Sequence, residues 1–418
     1  MGSRWLRHWK KGGFPLQINM AGIDHVHASI DQRETFSLTK VHAATMAKEL
    51  TDSYELDGCL ILSTCNRTEF WVSGADKLPL SQILTQVLPL SQQDYARFFT
   101  ERNGKDAVEY LFRLACGMES QIFGEDQILG QIKEAASLAR SAGSMDAVLE
   151  VLFRTAVTGA KAVKTKMKLT SDSHSAAEAA IVLLKQIHPS LLGEKCLVIG
   201  NGEMGQLAAR ALVEQGADVS ITLRAKGHHQ GQDTIIPAHC SVVDYDQRVS
   251  LLDGFPLVIS ATASPHCTLK WEEVAPVLQR PHVFLDLAVP RDIDPRIGSL
   301  PNVSLFDMDH LGLQHTVDPD ILQQAEQILQ EYQEEFIRWY EFREFIPKIH
   351  EISQAVAKDV TLRLDKHLRR SQPEWEQNTY NAAKKAVAKL VYSLKETLPL
   401  SLWEPCLDAL EEAVRPRD

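Results

Sequence analysis

At 418 residues, with 44% hydrophobic and 24% charged positions, the chain can form two or three domains that each bury a core, and its composition excludes a disordered or low-complexity protein. A formal net charge of -11 argues against a protein that coats nucleic acid nonspecifically, while leaving room for a local basic surface. Seven scattered cysteines with no C-x-x-C pair, no apolar run of the roughly 18 residues a membrane span needs, and a basic start without an apolar signal core predict a cytoplasmic protein with free thiols, no metal and no membrane segment.

Residues 1–18 read as an N-terminal extension. "LQINMAGI" then predicts a strand, "TKVHAATMAKEL" a helix, and "GCLILS" and "EFWVSG" two strands, before helical periodicity returns in "KDAVEYLFRLACGMES". An α+β domain over residues 19–170 is expected. Between its two central strands, "STCNRTE" sets Cys65 among polar residues where an apolar strand stops, a setting that suits chemistry better than packing. Arg67 can stabilise a Cys65 thiolate, or grip a substrate carboxylate through its planar fork, or simply pair with Glu69.

A second unit opens near Ser171. "KCLVIGNGEMGQLAARALVEQGADVSITLR" gives strand, glycine turn, helix and strand within the length of a βαβ unit, and "PLVISAT" and "HVFLDLAV" continue the sheet. Gly200, Gly202 and Gly205 have G-x-G-x-x-G spacing, so Gly200, Asn201, Gly202, Glu203, Met204 and Gly205 form a candidate pyrophosphate cradle at a helix N-terminus. The following strand ends in "ITLRAKGHH", without the carboxylate that would hold a ribose hydroxyl. Arg224 and Lys226 instead favour a 2'-phosphate, and so NADPH over NADH. Thr262, Ser264 and Pro265 follow a later strand and are candidates to border a nicotinamide. A Rossmann-like domain over residues 171–312 is expected.

After "DMDHLG", Ile321, Ala325, Ile328, Leu329, Tyr332, Phe336 and Trp339 recur at helical spacing, and Pro347 is expected to kink or end that helix. The remaining periodicity makes residues 313–418 a helical linker and all-α region, either an oligomer interface or a self-contained bundle.

"STCNRTE", "ESQIFGEDQILGQIKEA", "VIGNGEMG" and "DLAVPRDIDP", in that order, resemble the motifs of the glutamyl-tRNA reductase family, over a stretch running from about Met20 to the C-terminal helices. The resemblance implies a multidomain α/β protein: an α+β catalytic domain, a Rossmann-like NADPH domain, and a C-terminal all-α dimerisation domain on a long helix, assembled as a V-shaped homodimer. It implies NADPH-dependent reduction of glutamyl-tRNA to glutamate 1-semialdehyde, the first step toward 5-aminolevulinate and tetrapyrroles, with the aminomutase that consumes this aldehyde as a transient partner. Cys65 would form a thioester with the glutamyl group and Arg67 would bind its side-chain carboxylate. Ser63, Thr64, Asn66, Ser120, Glu125 and Gln131 would shape the pocket, with Glu125 suited to the substrate ammonium.

The chain departs from the family at several positions. Tyr110 stands where the family has a histidine proposed to orient chemistry beside the cysteine, and a phenol titrates near 10 against roughly 6.5 for imidazole. "GIDHVHASIDQRE" keeps His25, Arg33 and Glu34 but has Ser29 for the usual proline. Gln121 and Asp126 replace Met and Pro, Asn201 stands where alanine is common, and "LRAK" replaces Asn-Arg-Thr. Two readings compete with the reductase: a paralogue acting on another acyl ester or thioester, and a non-catalytic regulatory protein that binds tRNA or a partner. Arg154, Lys161, Lys164, Lys166 and Lys168, and the cluster "RLDKHLRR", are candidate phosphate contacts or plain solvated faces.

Overall fold

The computed structural model describes residues 15–74, 78–87, 95–167, 176–188, 190–224, 236–264, 266–311, 319–368 and 373–414. By its contacts the chain falls into two compact units, Leu16–Gln333 and, separately, Met1–Pro15 with Glu334–Asp418.

The larger unit holds two sheets. The first contains β1 (Ile18–Asp24), β2 (Gly58–Ser63), β3 (Arg67–Ser73) and β4 (Thr100–Asn103) in the order β2-β3-β1-β4, with every pairing antiparallel. Its central strands are near-continuous apolar runs because both faces are covered. On one face, Ala21, Ile23, Ile61, Phe70 and Val72 pack with residues of α1 (Ile30–Phe36), α2 (Lys40–Ser53) and α3 (Leu80–Val87). The other face meets α4 (Lys105–Ala115), α5 (Gln127–Ala142) and α6 (Ala147–Lys166). Trp71 is fully buried there, stacked on Tyr110 and edge-on to Phe153 with ring centroids 5.5 Å apart. Truncating such an aromatic to alanine costs about 3–5 kcal/mol, so this layer fixes the angle of β3 and hence its first residue, Arg67.

Helix α7 (Ala176–Ile187) leads into the second sheet: β5 (Lys195–Ile199), β6 (Asp218–Leu223), β7 (Cys240–Asp244), β8 (Leu257–Ser260), β9 (His282–Asp286) and β10 (Val303–Asp307), ordered β10-β9-β8-β5-β6-β7 and entirely parallel. This is the doubly wound order whose direction reverses at the β5/β8 boundary, where ligands lie beyond the carboxyl ends of the strands. Helix α8 (Glu203–Glu214) starts at that boundary and buries Gly205, Ala208, Ala209 and Leu212, a narrow stripe that lets it lie close on the sheet. Two single-turn helices, α9 (Arg248–Leu251) and α10 (Trp271–Val274), lie between the later strands.

Helix α11 (Pro319–Arg343) runs across the division between the units. The smaller unit continues with α12 (Ile346–Leu368), α13 (Pro373–Ser393) and α14 (Trp403–Val414) around Phe342, Ile349, Ile352, Val391, Trp403 and Leu407. The long helix ends at Arg343, the residue whose carbonyl Pro347 can neither bond nor approach, and Pro347 itself sits in the first turn of α12, where a missing N–H leaves no helical bond unmade. The sequence reading passed over α1, β4, β7 and β10.

Candidate active site

The hairpin turn between β2 and β3 carries Thr64, Cys65 and Asn66. The Thr64 hydroxyl accepts from the backbone N–H groups of Asn66 and Arg67, both at 3.2 Å, so its role is to shape the turn. Ser63 closes β2: its hydroxyl accepts from Leu38 N–H at 3.1 Å and shares a hydrogen bond with Thr68. In the β1/β3 register Asp24 lies opposite Arg67, which brings His25, just past the end of β1, alongside the turn that holds Cys65.

Arg67 is almost fully enclosed. Its Nη1 donates to Glu69 Oε1 at 2.9 Å and to the Tyr110 hydroxyl, and its Nη2 donates to the Glu119 carbonyl. Tyr110 donates in turn to Glu69 Oε1 at 2.6 Å, and Trp71 Nε1 donates to Glu69 Oε2 at 3.1 Å. The pairing of Arg67 with Glu69, one of the alternatives open in the sequence, is therefore present. Three of the five guanidinium N–H donors are committed, leaving Nε and one Nη2 hydrogen. Burial and Glu69 hold the Tyr110 hydroxyl well above its ordinary pKa, so it stays protonated and orients Arg67.

Arg67 does not give Cys65 a low pKa. Burial, reinforced by the Glu125 carboxylate, pushes the thiol up to about 11, against the opposing pull of Arg33 and Arg67. Glu125 is itself held above its ordinary range by burial, although Ser120, Arg67 and Lys164 favour its charged form. His25 is pushed down to about 4 by burial, with Arg67 adding to the effect, so its ring is neutral at pH 7. His25 Nδ1, Arg33 Nε, Asn66 Oδ1 and Gln121 Oε1 are buried side-chain atoms without a hydrogen-bond partner. Buried polar groups are ordinarily satisfied, so orphans that include Asn66, next to Cys65 in the turn, and Arg33, whose charge acts on the thiol, mark groups open to a polar ligand. Gln131 and Ser63 line one small cleft with Leu38, Lys40 and Glu134, and Ser63, at the end of β2, stands two residues before Cys65.

Across the unit, the glycine turn lies at the β5/β8 switch point. A Cβ on Gly200, whose φ is +108°, would lie 2.4 Å from the Ala261 carbonyl, and one on Gly205 would lie 2.0 Å from the Gly200 carbonyl. A Cβ on Gly202 would meet nothing within 4 Å, so the backbone at the start of α8 faces open space. Gly200 N–H donates to Thr222 Oγ1 at 3.0 Å, and Gln206 Nε2 donates to the Asn201 carbonyl at 3.1 Å. Glu203 and Met204 form the first turn of α8. The turn thus has the close strand–helix approach and the open N-terminus that a pyrophosphate needs.

Arg224 follows the end of β6, with its guanidinium 4.4 Å from the Tyr245 ring centroid, and Arg248 stands 4.3 Å from the same ring. Lys226 and Pro265 lie outside the described residues. Thr262 is engaged with Asp292, donating from its backbone N–H at 2.7 Å and from its hydroxyl, and Ser264 N–H donates to Thr262 Oγ1. Lys164, a candidate phosphate contact, instead donates to the Glu125 carbonyl at 3.0 Å and pairs with Asp126. Arg154, Lys161 and Lys166 are exposed, and Lys168 is outside the described residues. Among the described residues no group of three or more His, Cys, Asp or Glu side chains could hold a metal, and no helix is long and apolar enough to cross a membrane.

The two halves meet at the cysteine. Cys65, with Met204 and Val289, packs against the core built from α7, α8 and the parallel sheet, and Gln127 Nε2 lies 4.0 Å from Met204 Sδ. Residues 21–167 match the family model described as glutamyl-tRNAGlu reductase, N-terminal domain, and residues 182–313 match that of shikimate / quinate 5-dehydrogenase. The glutamyl-tRNA reductase of Acetivibrio thermocellus is 41% identical over 332 residues, covering 78% of this chain and 98% of that protein. The chain belongs to the glutamyl-tRNA reductase family. The glutamyl-tRNA reductase of Alkaliphilus oremlandii is 37% identical over 334 residues, 79% of this chain and 98% of its own length. The solved glutamyl-tRNA reductase from Methanopyrus kandleri is 25% identical, with a TM-score of 0.45 over 95% of this chain and 98% of that one. As a member of this family the chain is an oxidoreductase, and its parallel-sheet half is a dehydrogenase nucleotide-binding fold of the kind that takes a nicotinamide cofactor.

Sequence reasoning did not assign Arg33, whose charge acts on Cys65, or Asp24 and Asp309, which act on His25. Arg33 and His25 were visible in the N-terminal motif, but only the folded chain sets Arg33 within electrostatic reach of Cys65 and His25 within reach of Arg67.

Proposed function

We propose that this chain reduces the activated glutamate of glutamyl-tRNA to glutamate 1-semialdehyde with NADPH, through a thioester on Cys65, as the first step toward 5-aminolevulinate and tetrapyrroles. The observation that carries the reading is that Cys65, in the polar hairpin turn, and Met204, of the glycine turn, pack against one and the same core. The Cys65 sulfur attacks the ester carbonyl, the carbon–oxygen bond to the tRNA ribose breaks, and the released hydroxyl takes the proton lost by the thiol. NADPH, when bound, supplies the hydride that converts the acyl group to the aldehyde and frees the sulfur. Gly200, Asn201, Gly202, Glu203, Met204 and Gly205 would hold its pyrophosphate, and Arg224, with Lys226, would favour the 2'-phosphate.

In this reading the free Nε and Nη2 hydrogens of Arg67 receive the substrate's side-chain carboxylate, and the Glu69–Tyr110 pair holds the guanidinium in place. Tyr110 is a positioning residue. Glu125 receives the substrate ammonium, and Ser63, Asn66, Ser120 and Gln131 line the remainder of the pocket, with Thr64 setting the turn. Residues 19–170 then form the catalytic domain, 171–312 the NADPH domain and 313–418 the linker and dimerisation domain behind the 1–18 extension. Exposed Leu362, Leu364 and Leu390 on α12 and α13 supply apolar surface for a second copy of the chain. The downstream aminomutase is a transient partner in the cytoplasm.

The test is NADPH oxidation by the purified protein supplied with glutamyl-tRNA, beside Cys65→Ser, with free glutamate and uncharged tRNA as controls. Aldehyde formation that requires charged tRNA and disappears in the serine variant is the expected result. Binding of charged tRNA without NADPH consumption in either form would overturn the catalytic reading and favour a regulatory role.

A further inference from the structure

Two sequence motifs carry no reacting group in the proposed mechanism: "GIDHVHASIDQRE" near the start and "DLAVPRDIDP" after β9. The fold joins them across 257 positions. Glu34, on α1, accepts three bonds from Arg291: one from its backbone N–H, one from Nε at 2.9 Å and one from Nη2 at 3.0 Å, the last two forming a bidentate fork. Asp31, one turn earlier on α1, takes a further bond from Arg291 Nη2.

The adjoining flank of the same seven-residue helix engages the segment that follows the next strand of the sheet. Arg33 Nη2 donates to Asp309 Oδ1 at 2.7 Å, and the Ile30 N–H donates to Asp309 Oδ2 at 3.1 Å. Nearby, Gln121 Nε2 donates to the Met308 carbonyl at 2.6 Å. Arg291 follows β9 and Asp309 follows β10, so both lie beyond the carboxyl ends of neighbouring parallel strands, the edge on which a dinucleotide is bound. The loop bearing Arg291 is itself braced, because the Ala288 and Ile293 N–H groups donate to the two oxygens of buried Asp286. The Arg291 and Glu34 side chains are 17% and 21% exposed, so salt screens this pair less than a surface one.

We propose that this two-point latch, Arg291 on Glu34 and Asp31 and Arg33 on Asp309, is the positioning device that holds the acylated Cys65 at the dinucleotide turn. It governs delivery of hydride and leaves acyl capture to the hairpin itself. The proposal rests on the Cys65 thioester reading above. Its physical basis is that a reacting carbon displaced by about 1 Å can lose on the order of a hundredfold in rate, whereas attack by Cys65 on the ester needs only residues of the antiparallel half.

The test uses the full chain, comparing wild type with Arg291→Ala, Glu34→Gln, and the exchanged pair Glu34→Arg with Arg291→Glu. Acid-quenched transfer of labelled glutamate to the protein without NADPH reads acyl capture. Single-turnover aldehyde formation with NADPH reads reduction. Hydrogen exchange of the Ile30–Phe36 amides reads the latch without any chemistry. The single variants are expected to capture acyl groups within about twofold of wild type, to reduce them on the order of tenfold or more slowly, and to exchange faster across α1, with the exchanged pair regaining part of the loss. Equal loss of capture and reduction would make the latch a general fold brace and overturn the proposal, as would unchanged reduction. If wild type captures no acyl group, the Cys65 reading fails by itself, and unchanged α1 exchange in Arg291→Ala then overturns the latch independently.

Discussion

A thiol pushed up to about 11 is a poor nucleophile at rest: at pH 8 only about one in a thousand would be the thiolate. Burial is the larger cause and Glu125 the next, while Arg33 and Arg67 oppose both. Burial is built into the hairpin, but the Glu125 charge can be cancelled by a bound ammonium group, so the proposed substrate would remove one of the two obstacles to its own capture. Glu125→Gln imitates that cancellation. With the carboxylate gone the Cys65 thiolate is favoured, the pKa moves down, and alkylation by iodoacetamide at pH 8 should rise several-fold, followed by mass spectrometry of the Cys65 peptide so that the other thiols do not obscure it. A rate at Cys65 that does not move would remove Glu125 from the electrostatics of the thiol.

Among the elements, the β5–turn–α8 unit separates two jobs that one glycine pattern hides. Gly205 permits packing, since a Cβ there would lie 2.0 Å from the Gly200 carbonyl, a backbone atom that cannot swing away. Gly202 has open space around its Cβ position and leaves the helix N-terminus approachable. Gly205→Ala should therefore cost about 1–3 kcal/mol and lower the melting temperature by a few degrees, while Gly202→Ala should melt close to wild type and weaken NADPH binding, measured by quenching of protein fluorescence. Equal effects of the two on stability would contradict this division. The pattern was legible in the sequence because strand, turn and helix are contiguous, and the hairpin with Cys65 was legible for the same reason. The strands β4, β7 and β10 were not: all three are short edge strands, partly exposed, and "TERN" has no apolar alternation to read. The Glu69–Tyr110 bond and the Arg291–Glu34 fork were equally invisible, since no local rule couples residues 41 or 257 positions apart.

At the scale of the molecule, every residue assigned to the proposed site lies in Leu16–Gln333, and the helices after it form a unit with their own core of Phe342, Ile349, Ile352, Val391, Trp403 and Leu407. The relatives from Acetivibrio thermocellus and Alkaliphilus oremlandii are covered to 98% of their length by alignments that take in 78% and 79% of this chain, so about a fifth of it has no counterpart in these two proteins. With the whole proposed site in the first unit, chemistry and the later helices should be separable. A fragment of residues 15–343, ending where α11 ends, keeps both sheets, the latch and Tyr332 packed on Gly159. It should melt cooperatively, bind NADPH with an affinity close to that of the full chain and still transfer glutamate to Cys65, while sedimentation shows a smaller assembly than the full chain forms. The first of these is a condition for the rest, because a fragment that folds yet loses the dinucleotide would place part of the cofactor site among α12, α13 and α14. A folded fragment that binds the cofactor but no longer acylates Cys65 would instead assign the later helices to holding the tRNA, since removing them leaves the thiol and its polar neighbours in the hairpin unchanged.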